Sequence, residues 1–256
     1  MKYLDSLIYH ALRRCYPRSI DAMQKSGVDQ VSCLDSYSDR MERITESKDW
    51  RSWRDLTIVD FGCGYGDGAI EMAKCGIGRV VGVDIREDVL AEAKGKALAV
   101  GVGEVCEFVR QFKPGAADVI ISMDAFEHFA DPESVLELMA RYLSDGGRVV
   151  TSFGPTWFHP RGGHLFSMFP WAHLLLSESA LCRWRRDFRR DGAEQFHEVE
   201  GGLNRMTIRR FEKLVAASPF QIERWSPRPI GPLRLLHNRW TREFTTSVID
   251  CVLVRS

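Results

Sequence analysis

The stretch Val59-Asp60-Phe61-Gly62-Cys63-Gly64-Tyr65-Gly66-Asp67-Gly68 constrains this chain more than any other. It follows the apolar run Leu56 to Val59 and precedes a helical pattern from Ala69 to Lys74, so it reads as a strand, a tight turn and a helix start. Glycine at alternate positions permits φ > 0 and removes the Cβ atoms that would hold a ligand away from the main chain. The turn is not a Walker A phosphate loop, because Gly68 is followed by Ala69 and no Gly-Lys-Ser/Thr occurs here. It also departs from the dinucleotide pattern: Gly62, Gly64 and Gly66 make GxGxG, and Asp67 stands where a third, helix-packing glycine is expected.

A second apolar strand, Arg79-Val80-Val81-Gly82-Val83-Asp84, ends in an acid 18 residues after Gly66. A carboxylate at that point can accept both hydroxyls of a ribose. Downstream come Asp118-Val119-Ile120-Ile121-Ser122-Met123-Asp124-Ala125-Phe126-Glu127-His128, then Asp131-Pro132 opening a helix, and Leu143-Ser144-Asp145-Gly146-Gly147 before another strand. In this order, over residues 56 to 153, the motifs resemble class I S-adenosylmethionine (SAM) dependent methyltransferases, in particular a small-molecule branch like that of ubiquinone biosynthesis. The resemblance implies SAM as cofactor. It places Asp60, Phe61, Gly62, Cys63, Gly64 and Gly66 at the first turn, Asp84 and Ile85 at the ribose, and Ser122, Met123 and Asp124 at the methionine end, with Tyr37 reaching the cofactor carboxylate. One feature departs from the pattern: Phe108-Val109-Arg110-Gln111 lacks the acid that many relatives carry after the third strand.

Strands at 56–61, 79–84, 105–109, 118–123 and 147–153 alternate with helices at 67–74, 87–99 and 133–143. This alternation predicts an α/β fold with a doubly wound, mostly parallel sheet and its ligand crevice at the carboxyl ends of the strands. Residues 220–225 and 247–254 read as two closing strands after a helix at 207–217, and the resemblance makes the sheet seven-stranded and Rossmann-like, with the last strand antiparallel. Pro227, Pro229 and Pro232 predict an extended, irregular connection between those two strands. Asp145-Gly146-Gly147 reads as a helix terminator. Residues 1–54 form a helical N-terminal cover, and 55–256 the SAM-binding domain, in which 154–205 break the alternation.

By the same resemblance, 154–205 is a lid over the acceptor, with Trp157, Phe158, Arg161 and Asn204 as substrate contacts. Four of the seven histidines fall in it. Histidine suits removal of a proton from an alcohol or phenol. The candidates are His164, which follows Gly162-Gly163, then His159, then His128 beside Glu127. A zinc site from His159, His164 and His197 matches no compact ligand spacing, so no metal is expected. Arg183-Trp184-Arg185-Arg186-Asp187-Phe188-Arg189-Arg190 reads as a helix that packs Trp184 and Phe188 inward and presents a solvated basic face, with a weak lipid or anionic-substrate contact over 165–190 as the alternative.

Lys+Arg and Asp+Glu both total 35, so no global field favours nucleic acid or stable membrane insertion. Seven cysteines without a CxxC pair read as reduced thiols, and the first residues lack a secretory pattern, so a cytoplasmic protein is expected. Cys63, small and between two turn glycines, needs no reactivity to explain it. The function expected is methyl transfer to a small-molecule acceptor, most simply to oxygen, against N- or C-methyl transfer, a nicotinamide-dependent oxidoreductase that shares the sheet and Asp84, or a non-catalytic SAM-fold interaction protein.

Overall fold

The computed structural model describes residues 2–15, 37–45, 50–189, 192–199 and 201–256, with backbone alone at Lys2, Tyr37, Ser38, Thr45 and 50–52. Among the described residues, the α-helices α1 (Lys2–Cys15) and α2 (Tyr37–Thr45) precede the sheet. The alternating core is β1 (Thr57–Phe61), α3 (Asp67–Lys74), β2 (Arg79–Val83), α4 (Glu87–Ala99), β3 (Cys106–Val109), β4 (Ala117–Met123), α5 (Pro132–Tyr142) and β5 (Leu143–Phe153). An insertion holds short 3₁₀ turns and the helices α6 (Ala172–Leu175) and α7 (Glu178–Arg185). The chain closes with α8 (Ile208–Ala216), β6 (Phe220–Pro229), α9 (Arg242–Thr245) and β7 (Thr246–Arg255).

The seven strands lie in the order β3-β2-β1-β4-β5-β7-β6. β1 to β5 pair in parallel, and β7 runs antiparallel to both of its neighbours. The order reverses between β1 and β4, so the crevice expected of such a sheet opens beyond their carboxyl ends. Alternate residues feed two cores. Val59, Val81, Ile120, Val149 and Ile249 pack against α5 and α8, and Ile58, Val80, Ile121, Val150 and Val252 pack against α2, α3 and α4. A third core joins α1 to the insertion through Tyr9, Leu12, Phe166, Leu181, Trp184, Phe196 and Leu203.

Three local expectations change. β6 continues through Pro227 and Pro229, which pair with Ile249 and Thr246. It is the edge strand, where a proline without an N–H is tolerated. Asp145-Gly146-Gly147 is no helix terminator: α5 ends against an extended Leu143, and the β4–β5 register slips between Ala117/Leu143 and Val119/Arg148, so these residues form an irregularity in the strand, with Gly146 at φ 76°. The arginine run is a solvated helix face only in part: Arg183 and Arg186 are exposed. α7 stops at Arg185, which is itself buried, and Phe188 reaches Trp184 from the turn beyond. Arg183 lies over the Tyr9 ring, and Asp187 pairs with Arg13 of α1.

Candidate active site

The first turn is built by hydrogen bonds that tie β1 to β2. Gly62 and Cys63 N–H both donate to the Val83 carbonyl, at 2.8 and 3.1 Å. Gly64 N–H donates to Asp84 Oδ2 at 3.0 Å, and Asp84 Oδ1 accepts the Arg86 N–H at 3.0 Å. Asp84 therefore sits with its carboxylate oriented at the mouth of the turn, and each oxygen keeps a lone pair for a further donor.

The glycines divide the work. Gly64 has φ 51°, and a Cβ there would meet nothing within 4 Å, so this position borders open space. Gly66, at φ 77°, is enclosed: a Cβ would lie 2.5 Å from the Phe108 ring and 2.7 Å from Ala93 Cβ. Gly82 meets the same ring at 2.5 Å. Gly66 is thus the close helix–sheet packing glycine that the spacing appeared to lack, with Phe108 of β3 wedged beneath the turn. Asp67 lies outward and pairs with Lys96.

Asp60, at the end of β1, is buried and accepts the Ala69 N–H, and burial raises its pKa to about 7. Phe61 packs edge-on against Phe129 at 5.8 Å. Burial pushes the Cys63 thiol well above its ordinary value, so this sulfur stays protonated and is no nucleophile. Ile85 is 81% exposed beside Asp84. At the end of β4, Ser122 is buried with its Oγ unpartnered, Met123 is half-buried, and Asp124 adopts φ 51°. Asp124 is held by Arg40 of α2, whose Nη2 donates to Oδ1 at 2.9 Å and to Ser152 Oγ at 3.1 Å. Ser152 in turn donates to the buried Asp250. No sequence signal marked Arg40, Ser152 or Asp250, since α2, β5 and β7 meet only in the fold. Tyr37 starts α2, and its side chain lies outside the described residues.

Next to this end of β4 the loop 124–129 carries Glu127 and His128. Glu127 is 3% exposed, and its Oε1 accepts the Gly154 N–H at 3.0 Å, while Oε2 is buried without a partner. Its pKa is raised, chiefly by burial and against the pull of His128. His128 Nδ1–H donates to the Gly202 carbonyl at 2.7 Å. His164 comes from the insertion, in a 3₁₀ turn at φ 50°, and its ring packs edge-on to His128 at 5.2 Å. Its Nε2 is buried and unpartnered, and burial lowers its pKa to about 3, so the ring is neutral. The structure thus brings two of the three candidate histidines together, and adds Glu127, whose apolar neighbours Ala125 and Phe126 were the one available hint of burial.

His159 stands apart from that pair in its bonding: it is buried, its Nδ1 accepts the Arg161 N–H at 2.9 Å, and burial lowers its pKa to about 4. His197 is mostly exposed. Of the residues expected to touch substrate, Trp157 packs edge-on to His173 at 4.7 Å and also against Phe196, and Phe158 meets Phe244. Arg161 is exposed. Asn204 is a clasp: its N–H donates to the Glu127 carbonyl, and Nδ2 donates to the carbonyls of Phe126 and Phe129 at 2.6 and 2.8 Å. The Gly162-Gly163 pair is compressed, since a Cβ would lie 2.3 Å from Thr156 O at the first and 2.4 Å from His173 Cβ at the second.

A mostly parallel sheet with this strand order, an oriented acid after β2 and an open-faced glycine turn after β1 make a doubly wound α/β fold suited to a nucleoside at its switch point. The methyltransferase domain family matches residues 59–151. A ubiquinone biosynthesis O-methyltransferase of Sodalis glossinidius (strain morsitans) is 37% identical over 100 residues, which cover 37% of this chain and 40% of that protein. The enzyme of the same name from Methylococcus capsulatus is 31% identical over 150 residues, covering 50% of this chain and 60% of that one. The chain thus spans 40 to 60% of the length of these relatives. Among solved structures, a SAM-dependent methyltransferase from Aquifex aeolicus superposes with TM-score 0.53 at 12% identity, covering 90% of this chain and 98% of that one. Geranyl diphosphate C-methyltransferase from Streptomyces coelicolor A3(2) gives 0.56 at 14%, covering 91% and 87%. Residues 59–151 match the methyltransferase domain family, and the fold is that of the class I SAM-dependent methyltransferase superfamily. SAM is the cofactor of that superfamily, and the residues present fit it: an acid placed for a ribose, and beside it a turn whose middle glycine borders open space. Among the described residues, no helix is long and apolar enough to cross a membrane.

Proposed function

We propose that this chain transfers a methyl group from SAM to a small-molecule acceptor, with oxygen as the acceptor atom. The observation that carries the reading is the pairing of Asp84 with the Gly64 N–H beside open space, within the stretch that matches the methyltransferase domain. Asp84 would accept the ribose hydroxyls, with Ile85 over the adenosine. Backbone at Gly62, Cys63 and Gly64 would border the methionine portion, with Ser122, Met123 and Asp124 at its far end and Asp60 and Phe61 behind the turn. Bound SAM supplies an electrophilic methyl carbon. The chain's own task is then to hold an acceptor lone pair in line, exclude water and take up a proton.

Residues 154–205 are assigned as the lid, with Trp157, Phe158 and Arg161 on the acceptor side. Burial lowers the His164 pKa to about 3 and makes it a poor proton acceptor, so proton uptake is assigned to His128, beside Glu127 and His164. His159 supports the lid turn. Oxygen as acceptor is favoured by the two relatives, both of which bear O-methyltransferase names.

The reading is tested by SAM binding and by transfer of a labelled methyl group to phenolic, catecholic and quinol acceptors. In calorimetry, Asp84→Asn is expected to weaken SAM binding by about 1–3 kcal/mol through loss of charge-assisted hydrogen bonds. Unchanged SAM affinity in a folded Asp84→Asn protein refutes the cofactor assignment, and SAM binding without turnover on any acceptor refutes the catalytic one.

A further inference from the structure

Glu127, His128 and His164 each offer one ligand atom, and these atoms lie within 4.8 Å of one another. Two of the groups have a polar atom that is buried and lacks any hydrogen-bond partner: Oε2 of Glu127, on a side chain 3% exposed, and Nε2 of His164. Leaving such atoms unsatisfied costs roughly 1–3 kcal/mol each in a protein interior, and a native fold rarely holds two together without a reason. They are not hydrogen-bonded to each other or to any other group in the structure. A cation meets that need for both at once.

The surroundings also suit ligands. Metal-bound histidines and carboxylates are held by hydrogen bonds through their other polar atom. His128 donates its Nδ1 proton to the Gly202 carbonyl, which leaves the lone pair on Nε2, and Glu127 Oε1 is anchored by the Gly154 N–H. Asn204 clasps the loop carrying both residues through three hydrogen bonds to it. His164 is delivered from the insertion on a left-handed backbone, φ 50°, uncommon for a non-glycine residue.

We propose that Glu127, His128 and His164 form a binding site for a divalent transition-metal ion, a role that departs from the metal-free expectation of the sequence. Two imidazoles and one carboxylate make an N₂O donor set, which suits Zn²⁺, Co²⁺, Mn²⁺ or Fe²⁺ better than Mg²⁺ or Ca²⁺, whose ligands are all oxygen. Ligand atoms at about 2.1 Å from a tetrahedral ion lie on the order of 3.4 Å apart, so binding requires the three groups to close by about an ångström. Three protein ligands leave a coordination position for water or an acceptor oxygen, and with an ion bound there it would be the ion, in place of proton uptake by these side chains, that eases loss of the acceptor's proton. That last use rests on the methyl-transfer reading, whereas the ion site does not.

The test is a titration of the chelator-washed full chain with Co²⁺, followed by its visible d–d absorption, with Zn²⁺ added as competitor. One Co²⁺ per chain is expected, displaced by Zn²⁺, with affinity lowered at least 10-fold in both His164→Ala and Glu127→Gln. Thermal melting and SAM binding of each variant show that it is folded, and they report on the cofactor reading separately. Two outcomes overturn the proposal: a folded wild-type chain that gives no d–d band up to millimolar Co²⁺, or binding that survives both substitutions, which would move the ion to exposed histidines such as His197. If Glu127→Gln alone fails to fold, equal Co²⁺ affinity in folded His164→Ala and wild type is sufficient to overturn it.

Discussion

Replacing Gly66 by alanine separates packing from ligand approach within one turn. At φ 77° an L-residue pays the left-handed backbone penalty, about 1–2 kcal/mol. The new methyl group would also lie 2.5 Å from Phe108 Cε1 and 2.7 Å from Ala93 Cβ, both in a packed core. Overpacking of that kind adds about 1–3 kcal/mol. The sum, roughly 2–5 kcal/mol, corresponds to a fall in melting temperature of roughly 4–20 °C for a chain of this size. Gly64→Ala carries only the backbone penalty, since its Cβ meets nothing within 4 Å. It is expected to melt within a few degrees of wild type while losing SAM affinity. Thermal unfolding by circular dichroism, with SAM binding by calorimetry, compares the two. Phe108→Leu in the Gly66→Ala background should recover part of the loss by vacating the contact. A melting temperature for Gly66→Ala no lower than for Gly64→Ala would refute the packing argument.

Asp60 should make stability depend on pH. Its folded pKa, about 7, is raised from 3.8 by burial, so between these values the folded chain keeps a proton that the unfolded chain has released. Its contribution is full below pH 4 and is lost as pH rises to 7, by on the order of 4 kcal/mol. Asp60→Asn should therefore gain stability relative to wild type across that window in urea unfolding; a pH-independent difference would place the titration elsewhere. Arg40→Ala removes a buried guanidinium that holds Asp124 and Ser152, and is expected to cost roughly 2–4 kcal/mol, below the ~3–5 of a fully buried pair because Asp124 is 45% exposed. Wild-type stability in that variant, measured the same way, would show that α2 is not anchored through this pair.

What was legible in the sequence follows from where each element finds its partners. Ile58, Val80 and Ile121 feed one core and Val59, Val81 and Ile120 the other, and a strand buried on both faces announces itself as an unbroken apolar run. Asp84 and the Gly62–Gly66 turn could be placed because each sits at the end of such a run. The distinction between Gly64 and Gly66 could not, because it depends on Phe108, a residue of a third strand whose ring direction no local pattern encodes.

The insertion hid its construction for the same reason. Arg183 and Asp187 look like surface charge along the chain, yet they are engaged by Tyr9 and Arg13 of α1, about 170 residues away. Gly162-Gly163 reads as freedom for His164 to approach the cleft, whereas the pair is pressed against Thr156 and His173 and so restricts where His164 can go. Asn204 shows the consequence for function. It lies at the far end of the insertion, yet its side chain and backbone fix the carbonyls of Phe126, Glu127 and Phe129. The loop after β4 is therefore held from one side by Asn204 and from the other by Gly154, at the two ends of the insertion. A movement of the insertion must displace His164 relative to Glu127 and His128 or break those bonds, so the geometry of this cluster is set by the packing of the insertion on the sheet.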